Sequence, residues 1–277
     1  MFKFFLVKNF VDVWENIFHV ILLNIFMMIV FFGLVTLWFV QGFFSAGAVV
    51  SFIIYFVFLV LLSGLGCTVL FAEGKNAAAA ARAEGVSFRR FFKALPGTAL
   101  PGLEAGFVFS VIFLVARYSL PYYVRSFAQS GNFVLLLLAA FVFWFLVVTV
   151  LSVQYLIPVM NLLGNGFFKS LKKCYIIFFD NTLFSIGLTL LNAVSVLLSV
   201  VTFGLAPGFC GIIFNVTNAL KIRLYKYDWL EVNPDLTARE RKDVPWAELL
   251  VKEKEMLGPH PIKNALDRKS TRLNSSH

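Results

Sequence analysis

Charge is scarce in this chain. Only 14% of its 277 residues are Asp, Glu, Lys or Arg, about half the share of an ordinary soluble domain, which excludes a conventional water-facing enzyme. Cysteine is scarce as well. Cys67, Cys174 and Cys210 form no pair spaced for a metal or redox motif, so a disulfide scaffold is excluded and they read as small apolar packing residues. Of the three His, His19 falls near the start of an apolar run, where an interfacial packing role and a base role both stand, while His260 and His277 fall in a polar tail. Neither HExxH, GxSxG, a P-loop nor GxGxxG occurs. No acidic residue sits in the middle of an apolar run, which argues against a carboxylate that couples protons or sodium ions. No metal or cofactor site is expected.

Apolar residues make up 60% of the chain, and 34 of them are Phe. Runs of about 20 uncharged residues mark membrane-spanning helices. Six candidates follow at 16–40, 46–72, 100–124, 133–163, 181–202 and 205–220, giving an all-α polytopic membrane protein of three helical hairpins. The first run is too long for a removable signal. The fourth is long enough for Pro158 to kink it, with the turns after Gln154 leaving the hydrocarbon. The sixth is short, because its 16 residues reach only about 24 Å.

Two Lys or Arg precede the first run, five lie between the second and third, three between the fourth and fifth, and twelve follow the sixth; only Arg117 and Arg125 fall on the other side. The positive-inside rule then places both termini in the cytoplasm, with 22 basic residues inside and 2 outside. A sixth pass is needed for that bias, since otherwise the basic tail lies outside. The net charge of +9 is therefore a topology signal.

The basic segments mix Phe with Lys or Arg, as in Phe88-Arg89-Arg90-Phe91-Phe92-Lys93 and Phe167-Phe168-Lys169-Ser170-Leu171-Lys172-Lys173. They suit amphipathic helices lying in the interface, where Arg89, Arg90, Lys93, Lys169, Lys172 and Lys173 contact anionic lipid rather than nucleic acid. With the segment before Trp14 they outline a threefold unit, each followed by an acid: Glu15, Glu104 and Asp180. Glu104 and Arg117 sit near opposite ends of the third span, about 20 Å apart. Asn76 to Glu84, with its run of Ala, reads as a short connecting helix ended by Gly85.

The polar residues inside the spans are Asn24, Gln154, Asn192, Asn215 and Asn218. Two readings stand for them, bonding across helix interfaces or lining a polar path. Ser63-Gly64-Leu65-Gly66-Cys67 makes a face on the second helix small enough for a close neighbour. Gly204 and Gly208 match the same spacing, but Pro207 between them favours a turn and a helix start.

The spans occupy residues 1–224, and 225–267 form a short cytoplasmic tail. Pro234 to Lys242 is one helix signal in the tail. A second starts with Asp243 as cap, carries Trp246, Leu249, Leu250 and Leu257, and stops at Gly258. Trp246 and the Leu residues are expected to pack on the protein's own cytoplasmic loops. Residues 268–277 read as translated linker rather than native protein.

With that span pattern the chain resembles the YesL family of bacterial integral membrane proteins. Three features of residues 8–220 carry the resemblance: Leu22-Leu23-Asn24, the Ser87 to Lys93 segment, and Tyr155-Leu156-Ile157-Pro158 leading into Ser170-Leu171-Lys172-Lys173. It implies a multi-pass protein of the bacterial inner membrane that accompanies carbohydrate uptake. On that basis the expected function is a non-enzymatic accessory or regulator of a transport system, with transporter subunits as partners. A stand-alone permease or channel, with a path past Asn24, Gln154 and Asn192, is the alternative. A third reading is an enzyme on lipid-linked substrates that uses Glu104 and Arg117.

Overall fold

A computed structural model describes residues 1–41, 47–237 and 239–258 of the chain. Among these the protein is all-helical. In chain order the helices are α1 (Phe2–Glu15), α2 (Ile17–Gln41), α3 (Ala48–Ala81), α4 (Phe88–Leu114), a π-helical turn (Val115–Ser119), α5 (Leu120–Ser130), α6 (Phe133–Val153), α7 (Leu156–Leu163), α8 (Phe167–Asp180), α9 (Thr182–Val201), α10 (Gly208–Val232), a 3-10 turn (Glu240–Lys242), α11 (Trp246–Leu249) and α12 (Val251–Leu257). Five stretches are long and apolar enough to cross a bilayer: Ile17–Val40, Ala48–Ala81, Phe88–Ser130, Phe133–Leu163 and Thr182–Val201. Their outer faces carry exposed Phe32, Leu137 and Val200, an arrangement that a soluble monomer does not tolerate and a hydrocarbon solvent does.

α10 is the central helix. It packs against α1, α2, α3, α7 and α9 and buries Cys210, Ile213, Phe214, Val216 and Ala219 together with Asn215, Thr217 and Asn218. A helix sheathed by protein can carry amides that a lipid-facing one cannot, which explains the weak apolar signal of 205–220. The α9–α10 turn lies beside Met28, and Phe209 packs 4.6 Å from Phe31, so this turn sits partway along α2.

The small face on α3 does admit a close neighbour, and the neighbour is α4. Gly106 sits against Gly64, so that a Cβ on Gly106 would lie 2.8 Å from the Val60 carbonyl oxygen, and one on Gly102 would lie 2.8 Å from the Thr68 amide nitrogen. Ser63 Oγ donates to Gly106 O (3.0 Å), and Thr98 Oγ1 donates to Thr68 O (3.1 Å). Gly102 and Gly106 form a Gly-x-x-x-Gly pair that lets the two backbones touch.

Some local expectations are corrected. The Ala run is not a separate helix, because α3 runs unbroken from Ala48 to Ala81; Ala has the highest helix propensity, and nothing before Ala81 breaks the ladder. The basic Phe88 to Lys93 segment likewise forms the first turns of α4 rather than a separate interfacial helix. The fourth apolar run breaks at Gln154 and Tyr155, and Pro158 sits in the first turn of α7, where its missing N–H costs little. Among the described residues of the first tail signal only Glu240–Lys242 is helical, as a 3-10 turn, and the second signal splits into α11 and α12 with Pro245, not Asp243, at the N-cap. Gly258 ends α12 with φ 77° as expected. The turn at 42–46 and residues 268–277 lie outside the described residues.

The opening helices of the first and third expected units are alike. α1 and α8 have 14 residues each, and each ends at an Asn, Asn16 or Asn181, whose side chain donates back to the carbonyl four residues earlier, at 2.8 Å and 3.1 Å. At Asp12 the side-chain amide serves a carbonyl near the helix end, and at Ile177 it adds to the bond from the Asn181 backbone amide. The second unit lacks this break.

Candidate functional site

The charged side chains that the sequence leaves unremarked gather where α1, α10 and the tail meet. On α1 the buried residues are Phe5, Lys8, Val11 and Asp12, spaced along one helical face. Lys8 Nζ lies 3.2 Å from Asp12 Oδ2 and 3.3 Å from Glu253 Oε2, with Lys8 4% and Glu253 1% exposed. Lys221 of α10 donates to Glu253 and to the Ala81 carbonyl, and Tyr225 donates to Glu253 at 2.6 Å. A buried carboxylate persists only where donors surround it. Burial alone would raise the Glu253 carboxyl, but the hydrogen bonds from Lys221 and Tyr225 and the charge of Lys8 bring it below its usual value. For Asp12 burial wins over Lys8, and its carboxyl is raised. The cluster borders a cavity of about 350 Å³ between α1, the end of α3 and α12.

From this cluster a string of amides runs along α10. Asn218 donates to Asn9 (3.3 Å), Asn9 donates to Asn215, and Asn215 donates to Asn192 (3.1 Å) and Ser195 (3.0 Å). Asn215, Asn218 and Asn192 are thus brought together, with Asn9 between them. Asn24 lies apart. Its side-chain nitrogen donates to the carbonyls of Leu205 and Pro207, both at 2.9 Å, and its oxygen accepts from the Cys210 amide at 2.9 Å. Gln154 forms a third, separate site, where it donates to the Leu151 and Ser185 carbonyls and accepts from Thr189. Next to it the buried Tyr155 and Ser185 hydroxyls lie 2.9 Å apart.

A second buried polar group occupies the junction of α2 and α3. Glu73, 0% exposed, accepts from Asn76 at 3.0 Å and lies 3.7 Å from His19 Nε2. Asn76 also contacts the His19 ring (3.2 Å) and accepts from the Ser87 amide (3.3 Å), tying the end of α3 to the start of α4. His19 is buried and lies 4.6 Å from the Phe88 ring. The helices therefore hold a buried ionisable side chain: Glu73 falls one residue beyond the apolar run that marks the second span.

The other sequence candidates are not gathered into one place. Glu15 is exposed on α1. Asp180 pairs with Lys226 at 2.7 Å and accepts from Tyr227 at 2.8 Å. Glu104 is half-buried on α4, whereas Arg117 is exposed in the π turn beside Tyr118. Arg89, Lys93, Lys169 and Lys172 are exposed and Arg90 and Lys173 half-buried, with Arg90 near Glu84 at 3.7 Å. Among the described residues no group of three His, Cys, Asp or Glu side chains is placed to hold a metal ion. In comparisons with known proteins, no family model, no curated protein and no solved structure matches the chain.

Proposed function

We propose that the protein is a non-enzymatic, six-pass component of a bacterial inner membrane that assists or regulates a transport system, with both termini in the cytoplasm. Contacts between chain segments favour the sixth pass. Lys8 meets Glu253, Lys221 meets Ala81, Arg82 donates to the Leu162 carbonyl and Asp180 meets Lys226. Segments 8, 81–82, 162, 180, 221–226 and 253 thus share one end of the bundle. Only α9, among the five long apolar stretches, lies between Asp180 and Lys226, so α10 has to carry the chain back. The charge bias then marks that shared end as cytoplasmic.

One observation carries the accessory role over a solute path: the Asn24 and Gln154 amides are spent on the protein itself. Asn24 and Gln154 use both ends of their side chains on backbone and neighbouring hydroxyl groups, as interhelical bonds do. The resemblance to YesL proteins supports a transporter as the partner. Purification from native membranes in mild detergent tests this. Transporter subunits should co-elute, and recovery of the chain alone would refute it.

The string Asn218–Asn9–Asn215–Asn192 favours a second reading, a permease whose path follows α10. Vesicles reconstituted with the protein would then pass a small solute, with flux lost in Asn192→Leu. No flux across a panel of sugars and ions would remove that reading.

A further inference from the structure

Where α9 meets the tail, the structure holds a cavity of about 640 Å³. Its polar wall carries Arg223, Lys226, Arg241 and Lys242 against a single carboxylate, Asp180. That carboxylate is already engaged by Lys226 and by the Tyr227 hydroxyl, so the remaining cations face the space without an acid to match them. Arg223 is held in place by its neighbours: its guanidinium carbon lies 4.1 Å from the centre of the Phe184 ring and 5.4 Å from that of Trp246. Its buried Nε has no hydrogen-bond partner. A guanidinium held between two rings with an unspent donor is prepared for an anion.

The other wall is apolar and opens sideways. Leu183, in the first turn of α9, is 87% exposed, and Phe179 is exposed beside it. Since α9 is among the helices apolar enough to cross the bilayer, its first turn lies where hydrocarbon gives way to headgroups. A ligand here meets cations on the water side and bare Leu and Phe on the hydrocarbon side. We propose that the cavity binds an anionic phospholipid, with its phosphate among Arg223, Arg241 and Lys242 and its acyl chain along Leu183 and Phe179. Basic pockets beside membrane helices bind acidic headgroups in this way. A free phosphate would use only half of the lining. This site is separate from the exposed lysines and arginines of α4 and α8, and it stands whatever the transport role proves to be.

The full-length protein in bilayer discs of phosphatidylcholine, with or without a minor share of phosphatidylglycerol, tests the site by native mass spectrometry. One phosphatidylglycerol per chain should survive delipidation. Arg241 and Lys242 are exposed, so the Arg241→Gln/Lys242→Gln variant should fold, yet lose retention roughly thirtyfold, at about 1 kcal/mol per cation. Arg223→Gln should lose retention as well, whereas Lys252→Gln/Lys254→Gln, two exposed cations of α12 outside the cavity, should not. Equal retention of phosphatidylcholine, unchanged retention in Arg241→Gln/Lys242→Gln, or an equal loss in the α12 variant would overturn the proposal. So would displacement of the lipid by roughly millimolar inorganic phosphate, which would assign the cavity to a soluble anion.

Discussion

Lys8 Nζ of α1 lies 3.3 Å from Glu253 Oε2 of α12, both side chains buried. The pair joins α1 to the tail and brings Lys221 and Tyr225 of α10 into the same network. Three segments far apart in sequence are therefore fastened at one end of the bundle. Removal of one partner from a buried ion pair costs about 3–5 kcal/mol, because the other charge is left without compensation. Glu253→Ala should thus free the tail while leaving the spans folded. Limited proteolysis should cut the variant between Asn233 and Pro245 at least about a hundredfold faster than the parent; equal rates would show that the tail is held by its apolar contacts alone.

The same pair sets a pH dependence. The Glu253 carboxyl is held below its ordinary 4.5, so its contribution to tail docking is complete above that pH. It is lost as the pH falls through the lowered value, where the docked carboxylate takes up a proton. Asp180 behaves in the same sense, since its carboxyl is also lowered. Asp12 acts in the opposite sense: with its carboxyl raised above 3.8, its ionisation costs the folded state as pH rises. The expected outcome is a tail that stays protease-resistant from pH 8 down to about 4.5 and becomes susceptible only as the pH falls on through the lowered Glu253 value.

The contact between α3 and α4 depends on glycine. A side chain at position 106 would press on the Gly64 backbone and on the Val60 carbonyl. Gly106→Leu should force the helices apart and cost about 1–3 kcal/mol or more, read as a fall in melting temperature in detergent. Gly33, which has nothing within 4 Å of its Cβ position, should accept Leu without loss and serves as the control.

Asn24 holds the α9–α10 turn through two carbonyls and one amide. Asn24→Leu would leave the Leu205 carbonyl and the Cys210 amide without this partner, while the Pro207 carbonyl keeps the Gly211 amide, at about 1–3 kcal/mol for each group that finds no other partner. Gly208 lies against the Asn24 amide with φ 58°, a conformation that costs an L side chain about 1–2 kcal/mol before any clash. Gly208→Ala and Asn24→Leu should both lower the melting temperature. The double variant should fall short of the sum, because each single change already releases the turn.

What the sequence disclosed, and what it hid, follow from the same physics. Long apolar runs report contact with lipid, so α2, α3, α6 and α9 were legible in outline. α10 was faint because its neighbours are protein, which lets Asn215 and Asn218 sit at its core. Asn24 and Asn192 stood out as amides in apolar surroundings, but an amide alone does not tell whether it bonds a turn, a neighbour or a solute. Lys8 and Asp12 lie within the segment before Trp14, which reads as one of the interfacial units, and neither stands out within it. The legible signal was their spacing: opposite charges four residues apart, on the face that also carries Phe5 and Val11. Glu253 gave no such sign, since its partners come from α1 and α10. The Gly102 and Gly106 pair was plain in the sequence and was missed beside the Gly64 face that it meets.

The central claim is that the chain leaves the bilayer on the side where it entered, with α10 completing the return. Reporter fusions decide it directly. Fusions after Asn76, Gly166 and Asp235 should read cytoplasmic and a fusion after Gln129 should read external; an external reading after Asp235 with a cytoplasmic one after Gly166 would contradict the return through α10.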